Sequence, residues 1–160
     1  SLKKEQAQVG SSMPQGKQDT EKRITSISWI PFDKLPEMYN ILDNLIQRTN
    51  VNHFGFDGVR ITEQAQYTHY PVGGFYDWHT DNDIVGMAEP PVRKISMTLL
   101  LSPPNEFEGG ELELMDKNKV AKLVQGQAIF FASFIPHRVK PVTRGERKSL
   151  VMWFGGPSFR

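Results

Sequence analysis

Apolar residues along this chain follow two rhythms. Ile24, Ile27, Trp29 and Ile30 form a first apolar run. After Pro36, Met38, Ile41, Leu42, Leu45 and Ile46 recur at intervals of three and four. That is the period of an amphipathic helix, and proline suits a first helical turn. Downstream the pattern shortens. Segments 64–70, 75–81, 94–102, 111–115, 120–124, 128–131, 137–142 and 147–154 read as strands. Gly73-Gly74, Pro90-Pro91, Pro103-Pro104, Gly109-Gly110, residues 116–119 and Arg144-Gly145 punctuate them. Many short strands with no helix between them predict a mainly β fold, an antiparallel sandwich or jelly roll. The N-terminal helix would cover one sheet face.

Composition narrows the chemistry. Residues 1–23 are rich in Lys, Gln, Gly and Ser and nearly free of bulky apolar groups, so they read as a flexible tail, with a short first strand as the alternative. The domain proper is expected at 24–160, and 160 residues suffice for one core. Nineteen basic residues stand against 18 acidic ones, so no net field draws the molecule to nucleic acid or an anionic membrane. The chain has no cysteine, which excludes disulfides, thiolate metal sites and a thiol nucleophile. Any metal must be held by His and carboxylate. No segment approaches the roughly 20 apolar residues of a membrane span, and the N-terminus lacks the order of a secretory signal. The expected compartment is the cytoplasm.

Four histidines are present, and His79 is the informative one, in Phe75-Tyr-Asp-Trp-His-Thr-Asp81. Residues two apart on a strand share a face, so His79 and Asp81 can grip one ion. The same alternation also admits Asp77. His137, in Phe134-Ile-Pro-His-Arg-Val139, is the candidate third ligand. Two imidazoles and one carboxylate on one face of an octahedron leave three positions open, an arrangement associated with non-haem iron(II). Further on, Arg147 and Ser149 share a strand face, and an arginine fork matches a carboxylate. His53 and His69 read as structural or surface residues, and Trp29 and Phe130-Phe131 as core. Tyr76 and Trp78 pack a sheet or line a groove. The cluster Arg138, Lys140, Arg144, Arg147 and Lys148 reads as a solvated strand edge, without the interleaved exposed aromatics of a nucleic-acid surface.

From about Tyr67 to Trp153 the chain resembles the 2-oxoglutarate dioxygenases of prolyl 4-hydroxylase type. The resemblance is carried by Tyr70-Pro, a glycine pair, Tyr76, His79-Thr-Asp81-Asn82, Arg93-Lys-Ile-Ser-Met-Thr-Leu-Leu-Leu, Phe107-Glu-Gly-Gly-Glu-Leu112, His137, Arg147-x-Ser149 and Trp153. It implies a double-stranded β-helix, with His79, Asp81 and His137 as iron ligands. It also implies Arg147 and Ser149 on the distal carboxylate of 2-oxoglutarate, and a cosubstrate pocket lined by Tyr70, Leu112, Val139 and Trp153. The pattern favours Asp81 over Asp77. Leu100 falls where some prolyl hydroxylases carry a tyrosine, so that contact is absent or supplied by Thr98 or Ser149. The implied cofactors are Fe(II), 2-oxoglutarate and O2, with ascorbate as a candidate reductant. The implied reaction couples decarboxylation of 2-oxoglutarate to hydroxylation of a prolyl residue in a protein or peptide. A free amino acid, another side chain or a small metabolite is the alternative substrate. Residues 82–93 would form a lid or groove wall. Two rival classes are a jelly-roll binding module with structural histidines and a zinc hydrolase on the same three ligands.

Overall fold

The computed structural model describes residues 5–6, 21–82, 84–115 and 119–159. Strands are numbered in chain order. The major sheet runs β1 (Glu5–Gln6), β3 (Ser26–Ile30), β5 (Ala65–Tyr70), β14 (Arg147–Gly156), β7 (Val92–Leu100), β11 (Ala128–Ala132), and β4 (Arg60–Ile61) also pairs β14. The minor sheet runs β10 (Val120–Ala121), β9 (Leu112–Leu114), β12 (His137–Val139), β6 (Phe75–His79), β2 (Arg23–Ile24). A separate two-stranded antiparallel sheet pairs β8 (Phe107–Gly109) with β13 (Val142–Gly145). The pairings are antiparallel, and the chain passes repeatedly between the sheets, as a double-stranded β-helix requires.

β14 is the axis of the major sheet, paired to β5 on one side and β7 on the other. Alternation sorts its residues. Leu150, Met152 and Phe154 face outward with Ile95 and Met97 of β7, and helix α1 (Pro36–Thr49) lays Tyr39, Leu42 and Ile46 on them. Ile41, expected on that stripe, is exposed. The Tyr39 hydroxyl accepts the Ala65 N–H at 2.8 Å and donates to the Ile30 carbonyl, so one side chain ties helix to sheet. Inward, the chain presents Arg147, Ser149, Val151 and Trp153, a polar and aromatic face between the sheets. Tyr70, Leu112, Phe131, Val139 and Val142 form a second, smaller core there.

Several expectations are corrected. The strand read at 75–81 ends at His79. The segment 137–142 is two strands, because Pro141 has no N–H to give a ladder. The downstream half is not free of helix: α2 (Ile84–Ala88) lies within the expected lid, and a 3-10 turn spans Pro104–Glu106. Arg23, placed in the tail, belongs to β2. Of the expected tail, residues 1–4 and 7–20 lie outside the described residues, while Glu5–Gln6 pair with β3. No helix among the described residues is long and apolar enough to cross a membrane.

Ile46 is fully buried between helix and sheet. Ile46→Ala should cost about 2–5 kcal/mol in a denaturant titration, through lost burial and an unfilled cavity. A loss under about 1 kcal/mol would mean that α1 does not anchor the outer face.

Candidate metal and cosubstrate site

The antiparallel register of β12 and β6 sets His137 directly opposite His79, with ring centroids 4.2 Å apart. Asp81 lies past the end of β6, where its N–H donates to the Ser133 carbonyl at 2.9 Å. Its carboxylate stands between the rings, Oδ1 3.5 Å from His79 Nε2 and Oδ2 3.4 Å from His137 Nε2. One ligand atom from each residue lies within 4.8 Å of the others. Asp77 does not join them. It is exposed, and its carboxylate accepts the Trp78 N–H at 2.8 Å.

Hydrogen bonding fixes the tautomers. His79 Nδ1 lies 2.7 Å from the Asp77 carbonyl, and His137 Nδ1 lies 2.9 Å from the Ile135 carbonyl. A carbonyl only accepts, so each Nδ1 carries a proton, and Nε2 is the atom each ring turns to the centre. Burial pushes His137 down from its ordinary pKa, with Asp81 opposing in part, which keeps it neutral. Burial alone would raise Asp81. The contact with His79, the neighbouring His137 and the Ser96 hydroxyl outweigh it and hold the carboxyl well below the usual carboxylate range. Two imidazole nitrogens and a carboxylate therefore converge on one centre, a ligand set that suits a divalent cation. Ser96 Oγ donates to Asp81 Oδ2 at 2.6 Å and lies 2.9 Å from Ser133 Oγ, fixing the carboxylate from behind.

Further along the same interior lies Arg147, 3% exposed. Its Nη1 donates to Ser149 Oγ at 3.3 Å, and its guanidinium sits 5.5 Å from the Tyr70 ring centroid. Among the described residues no carboxylate lies within ion-pair distance of it. Burial pushes its pKa down, with Tyr70 opposing, a mark of a desolvated charge lacking a counter-ion. A cleft of about 390 Å³ reaches it past Leu100, Gly110, Leu112 and Lys140. Gly110 makes room: its φ is +67°, and a Cβ there would lie 2.9 Å from Arg147 Cδ.

The sequence pattern of the 2OG-Fe(II) oxygenase superfamily matches residues 65–155, more than half of the chain and all of the groups just described. The chain belongs to that superfamily. Among curated relatives, a PKHD-type hydroxylase of Hyphomonas neptunium is 42% identical over 84 residues, which is 51% of this chain and 38% of that protein. The chain thus spans about two fifths of the length of such relatives. Among solved structures, a Pseudomonas putida prolyl-4-hydroxylase matches with TM-score 0.70 and 25% identity, over 88% of this chain and 76% of that one. A Trichoplax adhaerens prolyl hydroxylase, solved with a hypoxia inducible factor peptide fragment, matches with TM-score 0.67 and 25% identity, over 84% and 64%. Membership implies Fe(II), 2-oxoglutarate and O2 as the working cofactors.

The oxygenase fold places the remaining residues as follows. Tyr70, Leu112 and Val139 are buried together near Arg147. Trp153 stands six positions along β14 from Arg147, opposite Ser96, with the Arg93 guanidinium 3.9 Å from its ring. Ser149 lies beside Arg147 and opposite Leu100, while Thr98 is one row further on. Tyr76 stacks on His79 at 3.5 Å, and Arg138 lies over Trp78. His69 is on the outer face, 3.1 Å from Glu146, and His53 lies in the π-helical turn (Asn50–Phe54) that follows α1. The sequence assigns no role to Ser133, Gln66, Arg23 or Glu63, nor to Arg93 and Ser96, although these two fall in a motif that carries the resemblance. For Ser96 a signal existed: Lys94, Ser96 and Thr98 alternate through an otherwise apolar strand.

Ser96→Ala in this oxygenase should weaken binding of Fe(II) or Co(II) roughly 10- to 100-fold, the usual loss when a ligand's supporting hydrogen bond is removed. Calorimetric titration of the metal-free protein reads it. Unchanged affinity would show that Asp81 is held without the hydroxyl.

Proposed function

We propose that this oxygenase hydroxylates a prolyl residue in a protein or peptide, within a catalytic unit of residues 24–160 extended by Arg23. His79, Asp81 and His137 would hold Fe(II), and Arg147 with Ser149 would hold the distal carboxylate of 2-oxoglutarate. The observation that carries the reading is a pairing of opposites inside one barrel: two imidazoles and a carboxylate able to hold one cation, and a buried guanidinium that meets no carboxylate among the described residues. A zinc hydrolase on the same triad would leave that guanidinium unexplained. A binding module would leave both unexplained. The prolyl substrate is supported by the relatives, which include prolyl hydroxylases, one of them in complex with a peptide.

When bound, iron and 2-oxoglutarate supply oxygen activation coupled to release of succinate and CO2, with ascorbate as the reductant that keeps the iron ferrous. The chain's own residues orient and exclude. The backbone carbonyls of Asp77 and Ile135 hold both imidazoles with Nε2 inward. Ser96 fixes Asp81, so the ligand face is preformed and costs little to organise. Arg147 sets how deep the cosubstrate enters, and Ser149 keeps the fork in plane. Tyr70, Leu112 and Val139 keep water from the chain between its two carboxylates. Trp153 would complete the cosubstrate pocket, and Tyr76, which packs on the same cluster and stacks on His79, would border the residue to be hydroxylated.

Arg147→Ala should raise the 2-oxoglutarate requirement roughly ten- to several-hundred-fold, for loss of a charge-assisted contact of about 1.5–3 kcal/mol. Lysine should rescue only in part, because a point charge cannot reproduce the fork. Metal affinity should change far less. If Arg147→Ala leaves cosubstrate dependence untouched while Arg144→Ala or Lys148→Ala disturbs it, a different cation serves the carboxylate. His79→Ala and His137→Ala should each abolish iron-dependent succinate formation with the fold intact by circular dichroism. Near-normal turnover by either would sink the metal assignment.

A further inference from the structure

A second guanidinium is buried between the sheets. Arg23 of β2 is 9% exposed and pairs in register with Tyr76. Its head group lies 4.3 Å from the Tyr76 ring centroid, and Tyr76 in turn stacks on His79. Arg23 Nη2 donates to Gln66 Oε1 at 3.3 Å, and Thr68 Oγ1 donates to the same oxygen at 3.2 Å. With both donors on Oε1, the Gln66 amide nitrogen must face away from them. Among the described residues it has no hydrogen-bond partner, and it is not among the sealed polar atoms. Arg23 Nε is buried without any partner. Among the described residues no carboxylate lies within ion-pair distance of Arg23.

The contrast with Arg93 is instructive. Arg93 also lies over an aromatic ring of this interior, but Glu63 meets it with two contacts, one at 2.7 Å, and neutralises it. A charge in a low-dielectric interior is costly unless an opposite charge or several hydrogen bonds offset it. The site as proposed balances without Arg23. A divalent cation and Arg147 together match Asp81 and the doubly charged cosubstrate. Among the described residues one positive charge is left over, beside Tyr76, whose ring stacks on His79.

Resting on the dioxygenase reading, we infer that Arg23, with the amide donor of Gln66 beside it, recognises a carboxylate on the substrate close to the carbon that is hydroxylated. Arg23 lies outside the segment that matches the superfamily pattern, so it would set specificity on a scaffold whose chemistry it does not share. Two sources could bring the carboxylate: the α-carboxylate of a free or C-terminal proline, or an acidic side chain next to an internal one.

Binding to the anaerobic, Mn(II)- and 2-oxoglutarate-loaded protein tests this, read by quenching of tryptophan fluorescence and by calorimetry. The probes are N-acetylproline, its methylamide, and the methylamides of N-acetyl-Pro-Asp and N-acetyl-Pro-Asn. At least one carboxylate probe should bind at least tenfold more tightly than its neutral partner, about 1.4 kcal/mol. Which one does so identifies the source. Arg23→Gln should bring the charged-to-neutral ratio close to one, and Arg23→Lys should restore part of it. If the wild type binds both members of each pair alike, or binds none, or if the preference survives in Arg23→Gln, the inference is wrong. Should Arg23→Gln not fold, the wild-type ratio and the lysine variant decide. A titration of the wild type with 2-oxoglutarate separates this failure from failure of the dioxygenase reading, which alone would abolish cosubstrate binding.

Discussion

Convergence of like groups in a buried space is the constraint on which the rest of this structure depends. His79, Asp81 and His137 turn Nε2, a carboxylate and Nε2 to a common centre, and the backbone carbonyls that accept from each Nδ1 fix the orientation of both rings. The fold holds all three groups in place. The β12–β6 register fixes the two rings, and Ser133 and Ser96 fix Asp81 by its backbone and its carboxylate. The outer core has a direct part in this. By seating α1 on Leu150, Met152 and Phe154, it holds β14 flat against β5 and β7, so that the inward residues of those strands stay in register with the triad.

Three arginines in the interior show how one residue type takes different roles by its surroundings. Arg93 is neutralised by Glu63 and reads as architecture that braces Trp153 and the Asp81 turn. Arg147 has only a hydroxyl and an aromatic face, and Gly110 is bare so that it can lie where it does. Arg23 has a neutral amide and another aromatic face. A charge left unmatched in a dry interior is a free-energy cost that ligand binding can recover. Among the described residues neither Arg147 nor Arg23 meets a carboxylate, and each would serve as an anion subsite.

Much of this was legible in the sequence, and the reasons are specific. Helix α1 showed as a three-and-four pattern, and the strands as short alternating runs between glycine and proline breaks. His79, His137 and Arg147 stood out because their residue types are rarely buried without a purpose. The choice between Asp77 and Asp81 was not legible from alternation, because the strand stops at His79 and a turn delivers Asp81 instead. Helix α2 was missed because five residues cannot display a helical period. Arg23 was assigned to the tail on composition, since a two-residue strand shows no alternation and its partner in register, Tyr76, lies far along the chain. The role of Ser96 showed only as a polar alternation along its strand, and that of Gln66 only when register brought it to Arg23.

The central claim is that one barrel interior binds a divalent metal and a dicarboxylic acid at the same time, and spectroscopy can read that directly. Under strict exclusion of oxygen, Fe(II) and then 2-oxoglutarate are added to the protein, and the visible spectrum is followed for the metal-to-cosubstrate charge-transfer band. The account predicts that the band appears only when both are present, and that on admitting oxygen it is lost as succinate forms. A band that never develops at saturating concentrations, or oxygen exposure that yields no succinate, would contradict it.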